Sequence, residues 1–133
     1  MIQESGLTLA YIGDAVYELK IREYLLSLGI TKVNNLHNEA ITRYTSAQAQ
    51  SKIMNYLLDK ISDEEMDYYK RGRNSGGTHH PKNSSLKEYR LATGFESLIG
   101  ALYLEKNYKR LDEIISLSII FSNEEKPLNL GIK

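Results

Sequence analysis

The chain has 133 residues, of which 41% are hydrophobic and 26% charged, with 17 basic residues, 17 acidic residues and no cysteine. This length is typical of one globular domain, and the lack of cysteine excludes disulfide scaffolds and thiolate metal sites. The N-terminal MIQESG has no basic stretch followed by an apolar core, and the charge-free run IISLSIIFSN is too short to cross a bilayer. We therefore expect an intracellular, cytoplasmic protein.

Helical periodicity runs through most of the chain, and no segment alternates apolar and polar residues as a strand would. Leu9, Ile12 and Val16 mark the apolar face of a first helix, which Gly29 is expected to end. SDEE, from Ser62 to Glu65, is a capping box. We predict an all-α domain of about six to seven helices over residues 1–121, with a loose tail over 122–133. The predicted helices cover residues 7–28, 34–44, 45–59, 62–70, 87–104 and 108–121.

A long polar loop, GRNSGGTHHPKNSS, is expected at residues 72–85. It lies within residues 70–90, a segment with six Lys or Arg and one acid, whereas the rest of the chain is acidic. Such asymmetry is typical of a surface for a polyanion, and loop glycines allow the backbone to approach phosphates. The composition is equally compatible with a solvated linker.

Two acids lie beside apolar helical faces among small residues: Asp14 in LAYIGDAVYE and Glu96 in TGFESLIGALYLE. Small residues let helices approach closely, so these carboxylates are candidates to converge. Converging carboxylates repel unless a cation or a proton neutralises them, and Mg²⁺ suits a site with one or two carboxylates plus waters and phosphate oxygens. The alternative is that each acid pairs locally, for example Asp14 with Lys20 or Arg22.

With these residues identified, the chain resembles the catalytic domain of the ribonuclease III family. LAYIGDAVYELKIREYL is similar to the family's signature helix, and TGFESLIGALYLEKNY to its second motif, with Asp14 and Glu96 82 residues apart. YKRGRNSGGTHHPKN and HNEAITRYTSAQAQ resemble the short branch called mini-ribonuclease III, which lacks the double-stranded-RNA-binding domain. The resemblance covers about residues 5–120. Ala10 and Thr93 occupy the positions where the main family has two further acids, as in that branch.

The resemblance implies a magnesium-dependent endoribonuclease that hydrolyses phosphodiester bonds in double-stranded RNA and leaves 5′-phosphates. Asp14 and Glu96 would be the catalytic magnesium ligands. The implied substrate is the precursor of 23S ribosomal RNA, and a ribosomal protein is a candidate to present it. The family works as a homodimer, in which Tyr11 would contact the partner subunit.

The branch that this chain resembles lacks a separate RNA-binding domain. The catalytic domain is therefore expected to bind the duplex itself, by shape and backbone contacts. The candidate RNA-binding residues come from the basic segment. They are Arg71, Arg73, Asn74, Lys82, Asn83 and Arg90.

Two other functions compete with this hypothesis. Ala10 and Thr93 leave open a catalytically inactive RNA-binding or ribosome-assembly module of the same fold. An all-α nucleotide pyrophosphohydrolase also uses clustered carboxylates and magnesium, although Glu64, Glu65 and Asp67 are a poor match to the E-x-x-E spacing of that class.

Overall fold

The computed structural model describes residues 1–76 and 79–128, and within them the fold is entirely helical, as predicted. Residues 77–78 of the predicted loop and 129–133 of the predicted tail lie outside the described residues. A π-helical segment (Ile41–Thr45, called the π segment below) joins the second and third helices. The α-helices are α1 (Gly6–Ser27), α2 (Val33–Ala40), α3 (Ala47–Leu57), α4 (Asp63–Arg73), α5 (Leu86–Leu104) and α6 (Tyr108–Glu125).

Helix α5 forms the centre of the domain and packs against α1, α3, α4 and α6. Every residue from Leu91 to Leu102 is buried except Glu96, which is half-buried. A helix that is apolar on all sides belongs in a core. Glu96 is therefore a carboxylate at the edge of an otherwise apolar central helix.

Side-chain caps explain where the helices begin. The capping box at Ser62 and Glu65 is confirmed, and Gly29, with φ of 92°, follows α1 as expected. A second capping box at Ser85 and Glu88 begins α5 and was not predicted. At α3 the N-cap is Ser46, one residue later than the predicted start.

Two helix boundaries differ from the prediction for physical reasons. The predicted helix over 34–44 ends at Ala40 and continues as the π segment, where the Tyr17 hydroxyl donates to the Tyr44 carbonyl at 3.0 Å. Helix α6 continues to Glu125, beyond the predicted end at residue 121. Asn123 stabilises this last turn, because its side chain accepts a hydrogen bond from Tyr44 and donates one to Tyr24.

Within the described residues, no helix is both long enough and apolar enough to cross a membrane.

Candidate active site

Helices α1 and α5 touch backbone to backbone where Gly13 crosses Glu96 and Gly100. A Cβ atom on Gly13 would lie 1.8 Å from the Glu96 carbonyl oxygen, and one on Gly100 would lie 1.9 Å from the Leu9 carbonyl oxygen. No other residue type fits such a distance without moving the backbone. The two glycines therefore bring residue 14 of one helix beside residue 96 of the other.

The structure brings Asp14 and Glu96 together, as the small-residue pattern predicted. Asp14 is exposed and Glu96 is half-buried. Burial raises the pKa of the Glu96 carboxyl from 4.5 to about 9, with further increases from the charge of Asp14 and a hydrogen bond to it. A hydrogen bond from Gln50 lowers this pKa, and the charge of Glu18 raises it slightly. Without a bound cation, Glu96 thus holds a proton at neutral pH.

The basic residues considered as local partners for Asp14 bind other acids. Lys20 Nζ lies 3.3 Å from Asp112. Arg22 Nε lies 3.4 Å from Glu18, which is one turn earlier on α1. Within residues 1–76 and 79–128, no Lys or Arg forms an ion pair with Asp14 or Glu96. The alternative of local charge pairing at Asp14 is not realised.

The described part of the chain holds no cluster of three or more His, Asp or Glu side chains arranged to bind a metal. The candidate ligands are two carboxylates, and the positions where the main family has further acids hold buried Ala10 and Thr93. Thr93 donates its hydroxyl hydrogen bond to the Tyr89 carbonyl at 2.9 Å. Two adjacent carboxyls with no basic partner among the described residues nevertheless fit a divalent cation, because its charge would offset both the burial of Glu96 and its repulsion from Asp14.

The acids considered for a pyrophosphohydrolase have other partners. Glu65 forms an ion pair with Arg110 at 2.8 Å, and Asp67 forms one with Arg71 at 3.0 Å. Glu64 accepts a hydrogen bond from the Tyr68 hydroxyl. This group therefore stabilises the fold and is not a carboxylate cluster.

The six candidate RNA-binding residues do not lie in one place. Arg71 is the most engaged, because its guanidinium donates to Asp67 and to the backbone carbonyls of Ile2 and Glu4. Lys82 and Asn83 are exposed, and the Asn83 carbonyl accepts a hydrogen bond from Gln48 of α3.

The remaining three candidates share an open cleft of about 510 Å³ between α3, α4 and the start of α5. Arg73 packs over the Tyr69 ring and donates to Asn74, and Arg90 lies on the first turns of α5. Lys87 also lines this cleft and was missed from the sequence. No acidic residue lines the cleft, so it is basic.

Tyr11 is 80% exposed on α1, one turn after Leu7, which is also exposed. The two side chains form a small exposed apolar patch on this face of α1.

The comparisons with known proteins agree with this architecture. The family model of the ribonuclease III domain matches residues 7–107. The mini-ribonuclease 3 of Enterococcus faecalis is 50% identical over 88% of this chain and 89% of its own length. The mini-ribonuclease 3 of Clostridium tetani is 45% identical over 97% of this chain and 85% of its own length.

A crystal structure of similar fold is that of protein FN1578 from Fusobacterium nucleatum. It has a TM-score of 0.78 and 36% sequence identity, and the match covers 86% of this chain and 93% of that one. The chain therefore belongs to the ribonuclease III family, alongside relatives named mini-ribonuclease 3, and is an endoribonuclease.

Proposed function

We propose that the chain is a magnesium-dependent endoribonuclease that hydrolyses double-stranded RNA and matures the precursor of 23S ribosomal RNA in the cytoplasm. The observation that carries the proposal is the Asp14–Glu96 pair at the α1–α5 crossing. The pair has no basic partner among the described residues, and its half-buried member, Glu96, has a strongly raised pKa. Perturbed carboxyls of this kind are typical of catalytic sites.

Asp14 and Glu96 would hold Mg²⁺. A bound magnesium ion supplies positive charge that activates water and stabilises the leaving oxygen of a phosphodiester. The chain's own part is to hold two carboxylates at one crossing, where the glycines let the two helices meet backbone to backbone. Glu96 gives up its proton when it becomes a ligand, so metal affinity should increase with pH.

Few protein ligands imply that waters and RNA phosphates complete the coordination. Magnesium commonly keeps several waters and takes one or two carboxylates with substrate phosphates. Because Ala10 and Thr93 supply no carboxylate, we expect tight metal binding only when RNA is present.

Duplex binding is assigned to Arg71, Arg73, Asn74, Lys82, Asn83 and Arg90, with Lys87 added from the cleft. The cleft residues are the best placed, because their charges are not neutralised by any lining acid. Arg71 is the weakest member, since Asp67 and two backbone carbonyls already occupy its donors.

We further propose a homodimer whose two sites cut opposite strands, with Tyr11 packing into the partner. Its exposure supports this role, because removing such a ring from water favours association. A ribosomal protein remains a candidate to present the substrate.

One assay tests the activity and separates it from the inactive RNA-binding module. The unaltered protein and the variants Asp14→Asn and Glu96→Gln are incubated with a long RNA duplex and magnesium. We expect cleavage only by the unaltered protein, with losses beyond the roughly 100-fold seen when outer partners of a metal ligand are removed. All three proteins should bind the duplex. Binding without cleavage by the unaltered protein would establish the inactive module instead.

A further inference from the structure

The end of the polar loop forms a tight turn at Pro81–Ser84. The Ser84 backbone N–H donates to the Pro81 carbonyl at 3.2 Å, and the Ser84 hydroxyl donates to the same oxygen at 3.3 Å. Ser84 is 7% exposed, whereas Lys82 and Asn83, in the middle of the turn, are exposed. The next residue, Ser85, begins α5 as its N-cap. The turn therefore presents two candidate RNA-binding side chains from a closed backbone.

A side chain from α3 holds this turn. Gln48 lies half-buried in the first turn of that helix, and its Nε2 donates to the Asn83 carbonyl. Among the described residues, no other side chain from outside the loop hydrogen-bonds to residues 81–84. The Gln48 amide thus joins the turn to a helix that lies 35 positions earlier in the sequence.

The charge of Lys82 is available to a ligand. Within residues 1–76 and 79–128, Lys82 forms no ion pair. A lysine ammonium is a compact point charge, and both lysine and asparagine donate to phosphate oxygens of nucleic acids. A segment that must be ordered during binding costs affinity, whereas a segment that is already held does not. A hydrogen bond that holds the turn before RNA arrives should therefore increase duplex affinity.

We propose that Gln48 is a positioning residue for duplex binding, which fixes the Pro81–Ser84 turn on α3 so that Lys82 and Asn83 meet the RNA backbone in a preset arrangement. The inference rests on the proposed duplex binding by this turn and adds α3 to the elements that support it. Gln48 acts through the turn and has no part in the carboxylate pair.

Gln48→Met tests this role, because methionine has a similar length and lacks both N–H donors. Trypsin cleavage after Lys82, identified from the masses of the fragments, reports on the turn directly, since proteases cut locally opened segments. Without RNA, we expect this cleavage to become roughly 2- to 10-fold faster, the range that corresponds to one lost hydrogen bond. Duplex affinity, measured without divalent cations, should decrease by a similar factor. The rate of RNA cleavage at saturating duplex should stay within about twofold, as expected when only binding is weakened.

Gln3→Met is the matched control. The Gln3 side chain also donates to a backbone carbonyl, that of Met1 at 3.0 Å, but it lies in the N-terminal segment. This variant should change neither trypsin cleavage after Lys82 nor duplex affinity.

A double variant shows whether Gln48 acts through Lys82. Lys82→Ala removes the charge that the turn presents, so Gln48→Met should weaken duplex binding less in the Lys82→Ala background than in the unaltered protein. Residues that act in one network give such non-additive effects, whereas independent sites add. Full additivity would contradict the proposed role.

The other outcomes separate this inference from the proposed function. If the unaltered protein cuts the duplex, but Gln48→Met leaves trypsin cleavage or duplex affinity unchanged, the positioning role is wrong and the proposed function stands. Equal changes in the Gln3 variant, or a large loss of cleavage rate at saturating duplex, also contradict the role. If the unaltered protein never cuts, yet binds the duplex with the expected dependence on Gln48, the proposed hydrolysis fails and this inference stands. If it binds no duplex, both fail.

Discussion

Two partly or fully buried carboxyls in this domain, Glu65 and Glu96, have opposite surroundings. Glu65 is 7% exposed at the start of α4 and accepts two hydrogen bonds from Arg110, at 2.8 and 2.9 Å. Burial alone would raise its pKa, but the bonds from Arg110 and Ser62 outweigh burial and lower it. Burial, together with the neighbouring Asp14 and the lack of a basic partner among the described residues, raises the pKa of Glu96 to about 9. Glu65 therefore stabilises the fold through its ion pair. Glu96 is held in its protonated form, and a bound cation would favour its ionised form.

Removing Arg110 is expected to give the largest difference in effect between the Glu65 and Glu96 sites. Arg110→Ala leaves Glu65 buried without its partner, and we expect a decrease in unfolding free energy of about 3 kcal/mol. Urea unfolding measures it. RNA cleavage below the unfolding temperature should be unchanged, because neither Glu65 nor Arg110 is a candidate metal ligand or a candidate RNA-binding residue.

Lys20→Ala is the control for Arg110, since Lys20 pairs with Asp112 on the surface. Exposed pairs contribute only about 0–1 kcal/mol. A cleavage defect in folded Arg110→Ala protein would show that the Glu65–Arg110 ion pair also supports catalysis. The assignment of different roles to Glu65 and Glu96 would then be wrong.

The next effect comes from the helix crossing. Gly13→Ala places a Cβ atom into the Glu96 carbonyl, so α1 and α5 must separate. We expect a loss of about 1–3 kcal/mol in stability, typical of overpacking. Cleavage should fall at temperatures where the variant remains folded, because the carboxyl pair moves apart.

Ser116→Thr adds one methyl group at an exposed position of α6 and serves as the control for Gly13→Ala. It should change neither property. Full cleavage by the folded Gly13 variant would mean that the spacing of Asp14 and Glu96 is not set by this contact.

The two carboxyls should also give opposite pH dependences. The pKa of Glu96 is higher in the folded protein, about 9, than its ordinary value of 4.5, so the folded state binds more protons in that range. In magnesium-free buffer, Glu96 therefore makes stability fall as pH rises from about 4.5 to 9. The lowered pKa of Glu65 acts in the other direction: its contribution is present above pH 4.5 and is lost in more acidic solution.

Asp14→Asn tests the Glu96 part of this contrast. It removes a charge that raises the pKa of Glu96, so the variant should be more stable than the unaltered protein near pH 8, by on the order of 1 kcal/mol. Urea unfolding across the pH range, without divalent cations, measures the difference. Equal stability at every pH would show that the two carboxyls do not interact.

The all-α fold could be predicted because helical periodicity is a local signal. The convergence of Asp14 with Glu96, 82 residues apart, was predicted from the small residues beside both acids and from the resemblance of both motifs to one family. Helical periodicity and glycine spacing are read directly from the chain. The ion pair between Glu65 and Arg110 joins residues 45 positions apart in the sequence. Periodicity does not encode which distant side chains meet. Arg71 shows the same limit: its basic neighbourhood indicated RNA, whereas its bonds to Ile2 and Glu4 appear only in the folded chain.

The smallest expected effect concerns a base that, unlike Arg110, forms no ion pair with the described acids. Arg90 lines the basic cleft, where no acid neutralises it. If it contacts an RNA phosphate, Arg90→Ala should weaken duplex binding a few-fold and reduce the slope of log affinity against log salt by about 1. Lys109→Ala is the matched control, since Lys109 is exposed on α6 beside Asp112 and Glu113. An unchanged slope for Arg90→Ala, or an equal change for Lys109→Ala, would place the duplex on another face of the domain.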